Sequence, residues 1–169
     1  FTPATGLTAQ TGRTPLASLG FGAYINNSWA ALGTTQKTGL VRTATLTINT
    51  GVEPDWTLDG DPNLSFTAYK YEQLSGMLAL GLSLNADAGV EKDAWYDRTS
   101  RFIRLEYDNG LAAAANRQIL LDVAGRYESI GVSRDGETML LDANLKLGYD
   151  TTGAQAFLAT VINGLAAVA

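Results

Sequence analysis

The sequence contains no cysteine and no histidine among its 169 residues. Without cysteine, the chain cannot form disulfides, thiolate metal sites or cysteine nucleophiles. Without histidine, it lacks the commonest general base and the commonest transition-metal ligand, which excludes Ser-His-Asp catalysis and ordinary zinc enzymology. We therefore expect no catalytic residue, no metal site and no cofactor. Any chemistry would have to use carboxylates, Lys, Tyr or Ser.

Charge and long apolar runs are also scarce. Only 17% of the residues are charged, and the formal net charge is -5. Such a chain is not expected to bind nucleic acid, because binding requires clustered Lys and Arg side chains that contact the phosphates. No apolar run approaches the roughly 18 residues of a membrane span, so none is expected. The chain begins at Phe1, without the regions of a signal peptide, which leaves open whether N-terminal residues are missing.

What the chain does contain is typical of β-structure. Hydrophobic residues make up 46% of it, and Gly, Thr, Ala and Leu are abundant. Apolar residues alternate with small or polar ones in several segments, and this period of two predicts half-buried antiparallel strands. The apolar positions are Ala44, Leu46 and Ile48; Leu78, Leu80, Leu82 and Leu84; Ile103, Leu105 and Tyr107; Ile119, Leu121 and Val123; and Met139, Leu141, Ala143, Leu145 and Leu147.

One segment breaks this alternation. The stretch VEKDAWYDR, residues 90–98, predicts about two helical turns with Val90, Ala94 and Trp95 on one face. Trp95 and Tyr96 could stack on a sugar or a base. We favour the interpretation that they hold the helix on the sheet, because aromatic rings bury large areas.

Turn signals separate the later strands. Asn109-Gly110 and Asp135-Gly136 carry hairpin chemistry, since glycine adopts positive φ without cost. The stretch AFLATVING near the end of the chain predicts a strand that is apolar on both faces, as in a central or interface strand.

Residues 1–39 differ in composition from the rest. They are rich in Thr, Gly, Ala and Ser, and we interpret them as an extended arm or large loop, followed by one β-rich domain over residues 40–169. The arm contains Phe21, Tyr24 and Trp29, more aromatic residues than a free linker needs, which indicates that it packs on something. The alternative is an ordinary edge hairpin with a frayed end.

An acidic stretch follows the first predicted strand. Residues 45–63, TLTINTGVEPDWTLDGDPN, contain the carboxylates of Glu53, Asp55, Asp59 and Asp61. Their spacing has neither the glycine nor the terminal glutamate of a calcium-binding loop. We interpret them as turn-forming acids, with a turn at Pro54 ending the strand.

Three arginines recur at intervals of three in DRTSRFIR, at Arg98, Arg101 and Arg104. They could form an anion-binding patch. Acidic residues surround them, however, and a solvated, salt-bridged face or a subunit contact is the more ordinary interpretation.

The order of these features resembles the tail tube (major tail) proteins of long-tailed bacteriophages. Three stretches carry the resemblance: LVRTATLTINTGVEPDWTLDGDPN, a Thr-alternating strand that leads into an N-x-G-x-E-P turn; LALGLSLNADAGVEKDAWYD, a passage from sheet to helix; and GRYESIGVSRDGETMLLDANLKLGYDTTGAQAFLATVING, a closing pair of strands across a polar turn. The resemblance covers residues 40–165.

The resemblance implies a fold and an assembly. The fold would be mainly β, an antiparallel β-sandwich or half-barrel with one short flanking helix and an extended N-terminal arm. Its copies would form stacked, hexameric rings, a tube that conducts the tape-measure protein and the genome. The arm and the loop over residues 50–63 would contact the adjacent ring. The inter-ring candidates are Phe21, Tyr24, Trp29, Glu53, Asp55, Trp56 and Asp59.

Further expectations concern the inside of such a tube. DNA would pass without specific binding, because acidic groups repel it over a Debye length of about 10 Å. The candidates for lumen-facing acids are Glu106, Asp122 and Asp142, which the alternation places on the outward faces of their strands. The resemblance also implies contacts with other tail proteins, assembly in the host cytoplasm and a final location in the virion.

Two rival functions belong to other classes. The first is a monomeric β-sandwich module that binds a carbohydrate or peptide through Trp56, Trp95 and Tyr96. The second is an enzyme that uses paired Asp or Glu side chains, which would require a cleft and carboxyl pKa values pushed apart. Only the tail-tube hypothesis predicts a self-complementary polymer.

Overall fold

The computed structural model describes residues 21–55, 68–71, 75–110 and 117–163. The protein is mainly β, as the sequence predicts, with antiparallel strands and one α-helix in this part of the chain. The strands are β1 (Phe21–Asn26), β2 (Val41–Asn49), β3 (Val52–Asp55), β4 (Ala68–Tyr71), β5 (Ser75–Ser83), β6 (Arg101–Asp108), β7 (Arg117–Asp135), β8 (Thr138–Leu147) and β9 (Phe157–Asn163). The helix α1 spans Ala86–Tyr96, and a 3-10 turn spans Trp29–Ala31.

Seven strands form one sheet in the order β1-β6-β7-β8-β5-β2, with β9 also paired to β7. The 19-residue strand β7 organises this sheet. Its Gly125 is opposite both Arg101 of β6 and Leu147 of β8, and its Val123 is opposite Phe157 of β9. Strands β8 and β9 therefore lie end to end along one side of β7, with β6 on the other side.

The sheet must curve, because its two ends are joined by a short stretch of chain. Gln36 bridges to Tyr24 on β1, and β2 begins only five residues later at Val41. Five extended residues reach at most about 18 Å. Strands β1 and β2 would be about 24 Å apart if the four strands between them lay flat. The same curvature lets Ile25 of β1 share a core cluster with Leu80 of β5.

The alternating pattern gives the core correctly in most strands. Fully or almost fully buried side chains occupy the expected positions, namely Leu78, Leu80, Leu82, Ile103, Val123, Leu141, Ala143 and Leu145. The exceptions are Leu84 and Met139, of which about half is exposed, and Ala44 and Ile48 of β2, which are also exposed. The turn at Asp135-Gly136 is also confirmed, because Asp135 pairs directly with Thr138 and Gly136 has a φ of 60°.

The helix α1 begins four residues before the predicted segment. Asn85 caps it, since its side chain accepts a hydrogen bond from the backbone N–H of Ala88 at 3.0 Å. The predicted face is wrong at Val90, which is 49% exposed, whereas the neighbouring Glu91 is buried. Glu91 is the buried residue because it forms an ion pair with Arg101 of β6.

The two aromatic residues at the end of α1 differ in their burial. Trp95 packs against the core cluster, as we expected, but Tyr96 is 65% exposed and does not hold the helix on the sheet. The helix ends in a Schellman motif, in which Thr99 donates to the carbonyl of Ala94 and Arg98 to that of Trp95. Arg98 takes the left-handed position of this motif with a φ of 53°, where glycine is usual.

Two further predictions concern the N-terminal range and the turn at Pro54. Strand β1 lies within residues 1–39, the range predicted as an extended arm or large loop. It is an edge strand, and the alternative prediction for this range was an edge hairpin with a frayed end. Residues 1–20 lie outside the described part. The predicted turn at Pro54 is wrong, because Pro54 lies within β3 and is opposite Tyr69 of β4. Among the described residues, no helix is long and apolar enough to cross a membrane.

Candidate functional site

The aromatic candidates of the N-terminal range have contacts within their own chain. The ring of Phe21 lies 5.2 Å from that of Tyr107, although Phe21 remains 52% exposed. The ring of Trp29 lies 5.5 Å from that of Phe102. A Cβ at Gly153 would come within 2.1 Å of the Trp29 indole, so the segment after β8 packs closely on this ring.

Tyr24 faces the acidic candidate Glu106 across the β1–β6 pair. Its hydroxyl lies near the Glu106 carboxylate, which is half-buried. Partial burial, and next the negative charge of Glu106, raise the pKa of Tyr24. The two residues therefore form a local polar contact on one face of the sheet.

The acidic stretch is only partly described. Glu53 and Asp55 lie in β3, which contradicts their interpretation as turn residues. Trp56, Asp59 and Asp61 lie outside the described residues. The β3–β4 pair continues the β2–β5 pair beyond Asn49 and Ser75, so this stretch leaves the main sheet as a two-stranded ribbon.

The prediction that Asp122 faces outward into solvent is wrong. Asp122 is only 4% exposed, and its two carboxylate oxygens accept hydrogen bonds from Arg104 at 2.7 and 2.8 Å. The hydrogen bond from Asp122 is the largest cause of a raised pKa at Arg104. Of the three acidic candidates, Asp142 alone is exposed.

A second ion pair is buried on the opposite face of β6. Nε of Arg101 lies 2.9 Å from Oε2 of Glu91, and both side chains are less than a tenth exposed. The Nε–H is not aligned as a hydrogen bond to any acceptor, so the contact is mainly electrostatic. The guanidinium instead donates to the side-chain oxygen of Asn27 and to the carbonyl of Val90.

Tyr127 completes this buried network. Its hydroxyl donates to the same Oε2 of Glu91 at 2.9 Å. Burial, and next the charge of Glu91, raise the pKa of Tyr127 well above 10.0. At neutral pH the Tyr127 hydroxyl therefore keeps its proton and donates a hydrogen bond to Glu91, and the network ties α1 to β6 and β7.

The three arginines of the DRTSRFIR run therefore do not form one patch. Successive strand residues point to opposite faces, so Arg101 and Arg104 lie on different sides of β6 and each has its own carboxylate. Arg98 is exposed at the end of α1. Within the described ranges, no three acidic side chains converge where a metal ion could be held.

Strand β9 has an unpaired edge and exposed apolar side chains. Within the described part of the chain it pairs only with β7. Its register places Leu158 and Ile162 on one face and Val161 on the other, and these side chains are 40%, 42% and 65% exposed. Strand β2 likewise pairs only with β5 there. As far as the described strands go, two edges of the sheet are therefore open to pairing with another chain.

No protein-family model matches the chain, and no curated protein matches it. The function must therefore be inferred from the chemistry of the residues and the geometry of the sheet.

Sequence reasoning named Arg101 within the arginine run but missed its burial with Glu91 and Tyr127, although a signal was present. Arg101 and Ile103 are two residues apart in β6, so their side chains point to the same face of the sheet, toward the core. Glu91 lies at helical spacing between the buried alanines at 88 and 94. A charged residue on the buried side of each of two elements is the pattern of a buried ion pair.

Proposed function

We propose that the protein is a structural subunit that assembles through its strand edges into stacked, hexameric rings, forming the tail tube of a bacteriophage. The observation that carries this proposal is strand β9, which among the described residues has an unpaired edge and apolar side chains on both faces. A monomer usually protects such an edge with charge, proline or a covering element. Closing a ring by edge-to-edge pairing removes the edge and buries these side chains.

The curvature of the sheet and the projecting ribbon support the same proposal. A curved sheet whose edges at β2 and β9 are open among the described residues would suit a segment of a larger barrel, the half-barrel of the fold prediction. The β3–β4 ribbon leads to the acidic stretch that the resemblance assigns to ring stacking. In this proposal the partners are further copies of the chain, the tape-measure protein and other tail proteins.

The proposed tube has no enzymatic role and conducts DNA without binding it specifically. Assembly takes place in the host cytoplasm, and the mature location is the virion. The exposed carboxylate of Asp142 is the described candidate for a lumen acid that repels DNA. Exchange of Asp142 for Lys should leave the tubes intact and slow DNA ejection; ejection at the wild-type rate would argue against a lumen position.

The test of assembly combines negative-stain electron microscopy with light scattering at rising protein concentration. Rings or hollow tubes of uniform diameter are expected for the wild type. Val161→Lys places a charge on the free edge and should abolish them. Val90→Lys is the matched control, since Val90 is also exposed but lies on α1, and it should assemble normally. A monomer at all concentrations would contradict the proposal.

One observation favours the binding-module alternative. Tyr96 is 65% exposed beside Trp95, and both line a cleft of about 540 Å³ together with Arg98 and Arg126. Glu128 also lines this cleft, so it offers aromatic rings beside charges of both signs, which suits a carbohydrate or peptide ligand. A stable monomer that binds a glycan or peptide, and loses binding in Tyr96→Ala, would establish this alternative.

A further inference from the structure

Two cations oppose each other on the outer face of the sheet. Arg126 of β7 and Lys146 of β8 are direct cross-strand partners, and both are exposed. Opposed residues in an antiparallel pair have Cβ atoms about 5 Å apart, and like charges at that distance destabilise the pair. Neither residue has a carboxylate partner in the described part of the chain. This repulsion stands out in a chain with a net charge of -5.

A cleft of about 330 Å³ lies against these two cations. Ser100 fixes one of them, because its Oγ accepts a hydrogen bond from Nε of Arg126 at 3.2 Å. The terminal nitrogens of that guanidinium have no partner among the described residues. Phe102 and Leu147 supply apolar lining. The cleft thus combines an anchored guanidinium, an ammonium group and an apolar wall.

The carboxylate that lines this cleft is already engaged. Oδ2 of Asp150 accepts a hydrogen bond from the backbone N–H of Gly153 at 2.6 Å, which holds it in the turn after β8. The adjoining cleft shares Arg126 and is lined in addition by Arg98 and by Glu128, whose charges offset each other. Asp150 keeps its negative charge, but the two cations Arg126 and Lys146 outnumber it in this cleft, which favours an anion supplied from outside the described chain.

We propose that the cleft between Arg126 and Lys146 is a binding site for a carboxylate attached to a small apolar group. The planar guanidinium matches the two oxygens of a carboxylate, and the ammonium adds a second charge-assisted contact. The apolar lining disfavours a fully hydrated phosphate and accommodates hydrocarbon. This inference does not depend on assembly into tubes, because all residues of the site belong to one copy.

Ligand-observed saturation-transfer NMR tests the site on the full chain, and it works for monomers and for large assemblies. Benzoate is the probe, with acetate and inorganic phosphate for comparison. We expect benzoate to give the strongest signal. Loss of a charge-assisted contact in Arg126→Gln should weaken benzoate binding about tenfold or more. Lys146→Gln should also weaken it, which provides a second variant if the first does not fold.

The matched control is Arg117→Gln, which removes an exposed arginine at the start of the same strand and should bind benzoate like the wild type. No saturation transfer to benzoate, equal binding by wild type and Arg126→Gln, or a preference for phosphate would overturn the proposal. Sedimentation of the protein in saturating benzoate distinguishes two sources of the carboxylate that occupies the site without benzoate. Dissociation of an assembly would assign it to an acidic side chain of a second copy, and unchanged sedimentation to a separate small molecule.

Discussion

The two faces of strand β6 each carry an arginine–carboxylate pair, and the pairs differ in their access to water. On the inner face, Arg101 and Glu91 are 8% and 2% exposed at their side chains. On the outer face, Arg104 is 25% exposed and Asp122 only 6%. A buried charge without its partner is strongly unfavourable, whereas a partly exposed one can turn to solvent. The inner pair should therefore be the more sensitive to removal of one member.

The largest effect is expected for Glu91→Ala. It leaves the Arg101 guanidinium buried without a counter-charge, which should lower the free energy of unfolding by about 3–5 kcal/mol. Urea denaturation followed by circular dichroism measures this. Asp93→Ala on the same helix is the control, because Asp93 is exposed and its removal should change stability by no more than about 0.5 kcal/mol. Equal effects of the two variants would show that the inner pair is not coupled to folding.

A smaller loss is expected for Asp122→Ala on the outer face. Two charge-assisted hydrogen bonds disappear, but Arg104 can reach water, so we expect a loss of about 2–3 kcal/mol. Asp142→Ala removes an exposed acid from a neighbouring strand and should be close to neutral. If Asp122→Ala destabilised the protein more than Glu91→Ala, the contrast between the two faces would be wrong.

Tyr127→Phe tests the third member of the inner network. At neutral pH it removes one hydrogen bond to Glu91 while the ion pair remains, so the expected loss is about 1–2 kcal/mol. The effect should depend on pH. Because the folded-state pKa of Tyr127 is raised above 10.0, its contribution to stability is complete below pH 10 and declines as the pH rises further.

The difference between wild type and Tyr127→Phe should therefore shrink in denaturation experiments above pH 10. Subtraction of the two curves removes the titration of the other tyrosines and lysines. A constant difference from pH 8 to pH 11 would show that the Tyr127 pKa is the same in the folded and unfolded states.

The sequence predicted the strands better than it predicted the environment of their charged residues. Alternation identified the buried side of β5, β6 and β8, because the period of two is a property of each strand alone. It could not show that the outer face at Asp122 is covered, since the segment around Trp29 and Leu32 that packs nearby is distant in sequence. The edge position of β9 likewise depends on which strands pair. Its apolar faces were predicted, but its free edge could be recognised only from the sheet order.

Arg98 is the third arginine of the run, and it has no carboxylate partner in the described residues. Its left-handed backbone at the end of α1 is a position that favours glycine. Arg98→Gly should therefore raise the free energy of unfolding by up to about 1 kcal/mol, the smallest effect in this series and the only gain. Arg98→Ala is the control, because it removes the same side chain but keeps the strained φ. A gain in both variants would assign the effect to loss of charge beside Arg126, and a gain in Arg98→Gly alone would assign it to the backbone.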